Sequence, residues 1–219
     1  MYEQNKLYVT KAKLEGCVKL SGAKNSALRL LAASLLSKET IELHNYPSEL
    51  LDAQVHVDML RALGKKVELL SNDVVHIQEE DCLKSQLDWK GRSIRNTLLI
   101  LGALTARLGA GSVPLPGGCK LGERKYDLHV MLLEKLGAKV WDDEEYLYAE
   151  APNGLVGADI YLPMRSTGAT ENAIIAGSLA KGVTRVWNPH IRPEILDLIA
   201  MLNSMGAKIT VYGQEHIEI

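Results

Sequence analysis

Three short segments of the sequence carry residue types that suit the binding of phosphate groups. Lys24 follows Gly22 at the start of a predicted helix, where free N–H groups attract anions and a lysine adds a full charge. Arg95 occupies the equivalent region of a second stretch. Arg165 begins a third, residues 165–170, whose hydroxyl groups and glycine also suit a phosphate. Each one alone is more often a surface cation or an ordinary helix cap, but together they predict one polyanion site.

Cys119 lies in a loop that suits a reactive thiol. The loop, residues 111–124, holds four glycines and two prolines, so it is not a regular helix. Lys120 and Arg124 lie close to Cys119, and positive charge favours the thiolate, which is the nucleophilic form. The alternative is a buried structural cysteine, which is the commoner role of a free thiol. The sequence leaves both interpretations open.

An internal repeat determines how these segments are positioned. A helix-to-strand signature of the type Leu-Gly-Ala-Lys occurs three times, with its glycine at Gly64, Gly137 and Gly206, so that the glycines lie 73 and then 69 residues apart. Such a period is typical of a fold built from copies of one supersecondary unit. Each copy predicts the order strand, helix, strand, helix, strand, strand, which makes the fold class α/β.

The repeat predicts one domain of three units, and the first helix of each unit is almost wholly apolar. Helices of that kind belong in the centre of a protein, with sheets outside them or in layers around a shared core. Such packing would bring the starts of the three helices to one side. The expected units are residues 21–87, 88–156 and 157–219, after strands in residues 1–20 (at 6–9 and 16–20). The expected helices are residues 27–36, 50–63, 92–105, 126–136, 170–179 and 193–205.

Composition excludes several classes of protein. The net charge of -2, with 24% charged and 47% hydrophobic residues, is ordinary for a globular protein and argues against a nucleic-acid or polybasic membrane surface. There is no apolar run of transmembrane length, and residues 1–6 lack the apolar core of a signal peptide. Cys17 and Cys82 have no reactive surroundings, and three distant cysteines form neither a disulfide framework nor a zinc spacing. We therefore expect a cytoplasmic protein.

Several motifs together resemble one known family. They are Ser21-Gly22-Ala23-Lys24-Asn25, Pro116-Gly117-Gly118-Cys119 with Gly122 and Arg124, Asp127-Leu128-His129, and Gly168-Ala169-Thr170-Glu171-Asn172. In order, and over essentially the whole chain, they resemble the UDP-N-acetylglucosamine enolpyruvyl transferases. The shikimate-pathway relatives share the fold but have a different lysine motif and no loop cysteine. The resemblance implies an inside-out α/β barrel of two domains, each with three βαβαββ units.

The resemblance also implies a reaction and its catalytic residues. The sugar 3-hydroxyl adds to phosphoenolpyruvate and phosphate then leaves, which is the first committed step of bacterial peptidoglycan synthesis. No metal or organic cofactor is implied. The catalytic residues would be Cys119, Lys24 and Arg95. Cys119 would be the thiol that engages phosphoenolpyruvate and is alkylated by fosfomycin.

Substrate contacts follow from the same motifs, residue by residue. Lys24 would hold the phosphoenolpyruvate anion, and Asn25 the sugar. Arg95 and Arg124 would bind phosphate groups. The stretch that cradles uridine would be Lys125, Tyr126, Asp127 and Leu128, and the helix start that meets the diphosphate would be Arg165, Ser166, Thr167 and Gly168.

The sequence departs from the family in ways that bear on activity. Members are about twice as long, with six units, and the missing half supplies an aspartate that takes the sugar proton and further arginines. Lys125 replaces a usual proline and Arg165 a usual lysine, and the family's acidic residue before Pro193 is absent. A general base must lie within hydrogen-bond reach of the sugar hydroxyl. Asp52 and Glu171 are the candidates that this chain offers.

These departures leave three interpretations open. The chain is the N-terminal half of an enolpyruvyl transferase, a stand-alone protein that binds a UDP-sugar or another anion without catalysis, or a homodimer whose copies rebuild the cleft. Under the first, we expect the chain alone to be inactive or nearly so, with a reactive Cys119. We also expect residues 1–20 to be mobile or paired with another molecule, because their strands have no obvious partner within three units.

Overall fold

The computed structural model describes residues 8–92, 94–115 and 125–219, and its elements follow the three repeats in order. The first repeat contains helix α1 (Lys24–Ala33), a 3₁₀ turn (Ser34–Leu36), β1 (Ile41–His44), α2 (Leu51–Ala62), β2 (Lys65–Ser71) and β3 (Val74–Glu79). The second contains α3 (Thr97–Leu108), β4 (Ala110–Pro114), α4 (Asp127–Lys135), β5 (Lys139–Asp142) and β6 (Tyr146–Glu150). The third contains β7 (Asp159–Tyr161), α5 (Thr167–Gly177), β8 (Arg185–Trp187), α6 (Pro193–Ser204), β9 (Thr210–Tyr212) and β10 (His216–Glu218).

Each repeat forms its own sheet. The strand orders are β1-β3-β2, β4-β6-β5 and β7-β8-β10-β9, and every pairing is antiparallel except the parallel pair β7–β8. The buried strand residues, such as Val75 in β3 and Leu147 in β6, alternate with more exposed ones. This period of two turns one face of each sheet toward the helices.

The leading strand of the predicted unit differs from expectation in two of the three repeats. The structure has no strand in residues 8–20, where the sequence predicted one over residues 16–20, and the one at 6–9 lies largely outside the described residues. In the second repeat a single parallel bridge, between Gln86 and Ser112, stands in its place. β7 is the leading strand of the third repeat. Residues 85–87 still exchange two backbone hydrogen bonds with Ser112 of β4, so the leading strand of the second repeat is reduced to that one bridge.

The three signature glycines end the second helix of each repeat, as the sequence predicted. Gly64, Gly137 and Gly206 have φ angles of 104°, 93° and 103°, a left-handed region that a side chain disfavours. Each of their N–H groups bonds to a carbonyl three residues earlier, at distances of 3.0, 2.9 and 3.1 Å. The glycine therefore reverses the chain into the following strand region at the same point of every repeat.

The first helices of the repeats form the centre of the protein. The buried residues of α3 run from Thr97 to Thr105, and those of α5 from Ala169 to Gly177. α1 is less enclosed and buries mainly Ala27, Leu28 and residues 31–33. The core cluster draws side chains from all three repeats, so the apolar helices pack inward against the sheets, as expected from their sequences.

Two hydrogen bonds between buried side chains join successive repeats. Nδ1 of His56 in α2 lies 3.0 Å from the Asn96 amide nitrogen before α3, and Nδ1 of His129 in α4 lies 3.1 Å from that of Asn172 in α5. Both histidines stand eight residues before the signature glycine. Burial lowers the pKa of His56 to about 3, with the Arg29 charge as a smaller cause, so this imidazole is a neutral acceptor at physiological pH.

The third junction, between α6 and α1, has a different chemistry. Leu198 takes the position that the histidines hold in the other repeats, and it is fully buried. Outside it, the Ser26 hydroxyl donates to the carboxylate of Asp197. The three repeats therefore meet as a ring in which two junctions carry a histidine–asparagine bond, whereas the third carries a buried leucine, the Ser26–Asp197 bond and an ion pair between α1 and α5.

A buried ionic cluster fastens the first hairpin to the end of α3. The carboxylate of Glu79 accepts from Lys65 Nζ at 2.8 Å and from both terminal nitrogens of Arg107 at 2.7 Å. Lys65 also donates to the Ser37 carbonyl, and Arg107 to that of Leu35. Lys65 is only 3% exposed, so its charge depends on these partners.

In the part of the chain that the structure describes, none of the helices is long and apolar enough to cross a membrane.

Candidate active site

The start of α1 is open to an anion. Ala23 is its N-cap residue, and among the described residues no side chain caps the first N–H groups of the helix, which begins at Lys24. Gly22 allows the chain before α1 to pass close to the backbone of Asn45, because a Cβ on residue 22 would lie 1.8 Å from the Asn45 carbonyl oxygen. Asn25, predicted to contact the sugar, is exposed.

Asp52 holds two cations at this end of the protein. Its carboxylate lies 3.1 Å from Lys24 Nζ and 3.7 Å from Arg92 Nε, and its side chain is 24% exposed. Asp52 was one of the two candidate bases. The structure instead makes it the group that orients Lys24, with Arg92 as a further cation that the sequence motifs did not single out.

Arg95 connects the second repeat to the predicted uridine segment. It lies just before α3, which begins at Thr97 and not at residue 92 as predicted, and one of its terminal nitrogens donates to the Lys125 carbonyl at 2.6 Å. Tyr126 and Leu128 pack partly against the core, while Asp127 is exposed in the first turn of α4. Burial raises the pKa of Tyr126, and Asp142 adds to the effect.

The start of α5 combines a cap with free donors. Ser166 Oγ accepts from the Ala169 N–H group at 3.3 Å and caps the helix, which begins at Thr167, three residues earlier than predicted. By helix geometry the N–H groups of Thr167 and Gly168 have no acceptor within the helix. Arg165 donates at 3.1 Å to Gln214, in the turn between β9 and β10, and at 3.4 Å to Asn188.

His129 is a site residue whose role the sequence motifs did not assign. A Cβ on Gly168 would lie 3.2 Å from its Nε2, so the imidazole packs directly against the start of α5. Burial, with the Arg95 charge as a smaller cause, lowers the pKa of His129 to about 4 and keeps it neutral. Its place eight residues before Gly137, like that of His56 before Gly64, was the signal that could have found it.

Glu171, the other candidate base, is inaccessible. It is 1% exposed and accepts from Arg29 Nε at 2.6 Å, while burial raises its pKa. A carboxylate enclosed in this way has no path to a sugar hydroxyl, so its role is to tie α1 to α5. Cys119 and Arg124 lie outside the described residues.

The structure therefore brings the predicted residues together in two groups. Asp52 unites Lys24 with Arg92. Arg95 reaches Lys125, and its charge acts on His129, which packs against the start of α5. Side-chain bonds between α1 and its neighbours, from Asn96 to the Leu28 carbonyl and from Arg29 to Glu171, hold the helix starts in one wall. Such a wall of cations and helix N-termini suits phosphate groups.

Comparison with known proteins identifies the family of the chain. The family model described as EPSP synthase (3-phosphoshikimate 1-carboxyvinyltransferase) matches residues 9–219. The chain belongs to this family. Two curated relatives within the EPSP synthase family are named UDP-N-acetylglucosamine 1-carboxyvinyltransferase. The one from Caulobacter sp. (strain K31) is 44% identical over 95% of this chain, and the one from Helicobacter pylori (strain ATCC 700392 / 26695) is 40% identical over 94%.

Solved structures of EPSP-synthase-family proteins have the same fold. The enolpyruvyl transferase NikO from Streptomyces tendae aligns with a TM-score of 0.78 at 20% identity, over 94% of this chain and 48% of that one. EPSP synthase from Acinetobacter baumannii aligns with a TM-score of 0.73 at 22% identity, over 93% and 46%. These likenesses confirm the predicted α/β fold of an enolpyruvyl transferase half.

The length of the match distinguishes this chain from its relatives in the EPSP synthase family. The alignments take in 49% of both curated relatives, so the chain spans about half the length of the proteins it matches. The predicted half-length relationship is therefore confirmed at the level of the family.

Proposed function

We propose that the chain forms the N-terminal half of an enzyme that transfers the enolpyruvyl group of phosphoenolpyruvate to the 3-hydroxyl of UDP-N-acetylglucosamine. The observation that carries the proposal is the 44% identity to a protein of that name, over 95% of this chain but 49% of the relative. In bacteria this reaction commits the sugar to peptidoglycan.

The residue roles in this proposal follow from charge and position. Lys24, held by Asp52 beside the open start of α1, binds the phosphoenolpyruvate anion. Arg95 and the start of α5 bind phosphate groups, where cations and helix N–H donors stabilise negative charge as it develops. The remaining contacts, proposed from the family motifs, are those of Asn25, Arg124, Lys125, Tyr126, Asp127, Leu128, Arg165, Ser166, Thr167 and Gly168.

The reaction also needs a base that takes the proton of the sugar hydroxyl. Glu171 is enclosed with Arg29, and Asp52 is bound to two cations, so neither is placed for that step. This supports a second wall, supplied by a C-terminal half or by a second copy of the chain. Residues 8–20 suit such a partner, because they form no strand and expose Tyr8, Val9, Leu14, Val18 and Leu20 by 81–91%.

A second candidate function is binding of a UDP-sugar or another anion without catalysis. The observation in its favour is that the start of α5, with Ser166, Thr167 and Gly168, lies wholly within this chain. Calorimetry of the chain alone with UDP-N-acetylglucosamine tests the binding that both functions share, and turnover separates the two.

The first prediction concerns turnover. The chain alone is expected to release no phosphate from phosphoenolpyruvate and UDP-N-acetylglucosamine, because its own carboxylates are engaged. Addition of the separately purified C-terminal half of the Caulobacter relative is expected to start phosphate release. The control is the same mixture with Lys24→Met, which lacks the charge for phosphoenolpyruvate. Turnover by the chain alone would contradict the need for a second half, and none in any mixture would favour the binding function.

The second prediction concerns Cys119. Fosfomycin is expected to alkylate this thiol, because Lys120 and Arg124 favour its thiolate form. Peptide mass spectrometry after treatment checks the site of modification. Cys17 and Cys82 are both exposed and serve as internal controls that should remain free. An unmodified Cys119, or equal modification of all three cysteines, would contradict the prediction.

A further inference from the structure

The turn that follows β8 is hydrogen-bonded to the first turn of α5. The N–H group of His190 donates to Thr170 Oγ1 at 3.0 Å, and His190 Nδ1 lies 2.8 Å from Thr167 Oγ1. The Thr170 hydroxyl in turn donates to the Ser166 carbonyl at 2.8 Å. Backbone and side chain together therefore fix the half-buried imidazole beside a hydroxyl at the helix start.

The other end of this turn is fixed as well. Asn188 adopts a left-handed φ of 56°, and its amide donates to the Leu162 carbonyl, just after β7, at 3.0 Å. Arg165 donates to the Asn188 side chain at 3.4 Å. Since the turn is attached to both the end of β7 and the start of α5, the backbone of His190 is held where its ring reaches Thr167 Oγ1.

A single hydrogen atom lies between Thr167 Oγ1 and His190 Nδ1. Which of these two atoms donates it determines whether the Thr167 hydroxyl proton is available to another acceptor. When the neutral ring carries its proton on Nε2, Nδ1 accepts and the Thr167 hydroxyl proton is occupied. When the ring is protonated, Nδ1 donates to Oγ1, and the hydroxyl proton becomes free for another acceptor. The protonated ring also adds a positive charge beside free helix N–H groups.

We propose that His190 regulates phosphate binding at the start of α5, because its protonation releases the Thr167 hydroxyl to donate to a phosphate oxygen of the nucleotide sugar. The inference rests on the proposed function, in which this helix start meets the diphosphate. It adds a pH-dependent control by a residue of the neighbouring turn. An imidazole is the side chain whose ordinary change of charge falls between pH 5 and 8.

Among the residues that the structure describes, most other charged groups near this helix start have a partner. Arg165 is bonded to Gln214 and Asn188, Glu171 to Arg29, and Arg192 lies 3.4 Å from Glu194 at the start of α6. On α4, His129 has a pKa of about 4 and stays neutral above pH 5, and Asp127 lies in its first turn. A pH dependence of binding that disappears in a variant without the imidazole is therefore assigned to His190.

Calorimetry with UDP-N-acetylglucosamine at about pH 6 and about pH 8 tests the proposal. This ligand is suited because its phosphates are both diesters, whereas a terminal phosphate titrates near pH 6 itself. For the unmodified chain we expect binding about tenfold tighter at the lower pH, since a charge-assisted hydrogen bond is gained. His190→Asn keeps a polar group near the Nδ1 position but cannot be protonated, and it should bind equally at both pH values.

Two further variants sharpen the test. Thr167→Val removes the hydroxyl and should reduce the tenfold ratio to the smaller effect of the ring's charge alone, even if His190→Asn fails to fold. His44→Asn alters an exposed histidine of β1 and should retain the ratio. A tenfold ratio that persists in His190→Asn or Thr167→Val, or a ratio near one in the unmodified chain, overturns the proposal. No binding at either pH contradicts the proposed function itself.

Discussion

Glu79→Gln is expected to lower the free energy of unfolding by about 3–5 kcal/mol, as removal of one partner from a buried ionic cluster typically does. The substitution leaves Lys65, which is 3% exposed, and Arg107 without the carboxylate that both contact at 2.7–2.8 Å. Urea denaturation at neutral pH measures the change. The neighbouring Glu80→Gln is the matched control, because its partner Lys66 is 38% exposed and the pair adds little.

The same cluster predicts the direction in which acid changes the stability of the folded protein. Burial tends to raise the pKa of Glu79, but the bonds from Arg107 and Lys65 outweigh it and hold that pKa below its usual value. A carboxylate with a lowered pKa in the folded state stabilises it above the pKa of the unfolded chain, and this is lost as pH falls through the lower value. Unfolding curves below about pH 5 should show this loss in the unmodified chain and not in Glu79→Gln. An equal acid sensitivity in both would contradict the assignment to Glu79.

Gly102→Ala is expected to destabilise the protein by about 1–3 kcal/mol, the usual cost of overpacking, in spite of alanine's better helix propensity. Gly102 lies where α3 crosses α5, and a Cβ there would lie 1.9 Å from Asn172 Oδ1. Asn172 would have to move, and its bond to His129 would break. Because His129 packs against the start of α5, weaker binding of UDP-N-acetylglucosamine should accompany the loss of stability.

A double-mutant cycle checks the origin of this effect. If the clash is with the amide, Gly102→Ala combined with Asn172→Ala should be less destabilised than the sum of the two single changes. Thermal or urea unfolding of the four proteins provides the comparison. Additive effects would show that Gly102 matters for another reason.

The sequence predicted the parts of the fold that depend on local chemistry. The signature glycines and the apolar central helices are encoded within short stretches, and the structure places them as predicted. The leading strands were not predictable in this way, because a strand exists only where a neighbouring strand satisfies its backbone. The start of α3 was also missed, because Arg92 is drawn away from the helix toward Asp52 of the first repeat.

The candidate site was likewise predictable from the sequence only in part. Lys24, Arg95 and the start of α5 could be found from residue type and position, because helix starts attract anions wherever they occur. Their partners could not. The contacts of Lys24 with Asp52, of His129 with Asn172 and of His190 with Thr167 span 28, 43 and 23 residues of sequence. Only tertiary packing brings residues so distant in the sequence together, so these contacts are visible only in the structure.

In the ring of three repeats, the junction between the third repeat and the first is the one that the polypeptide does not cross. Chain continuity and a buried histidine–asparagine bond secure the first two junctions, whereas the junction of the third repeat with the first relies on Leu198, the bond from Ser26 to Asp197 and the ion pair of Arg29 with Glu171. At this seam the ion pair is enclosed, so loss of either of its partners would leave a buried charge at the one junction that the chain does not span. α1 carries Lys24 at its start, and the seam therefore runs along the edge of the anion wall.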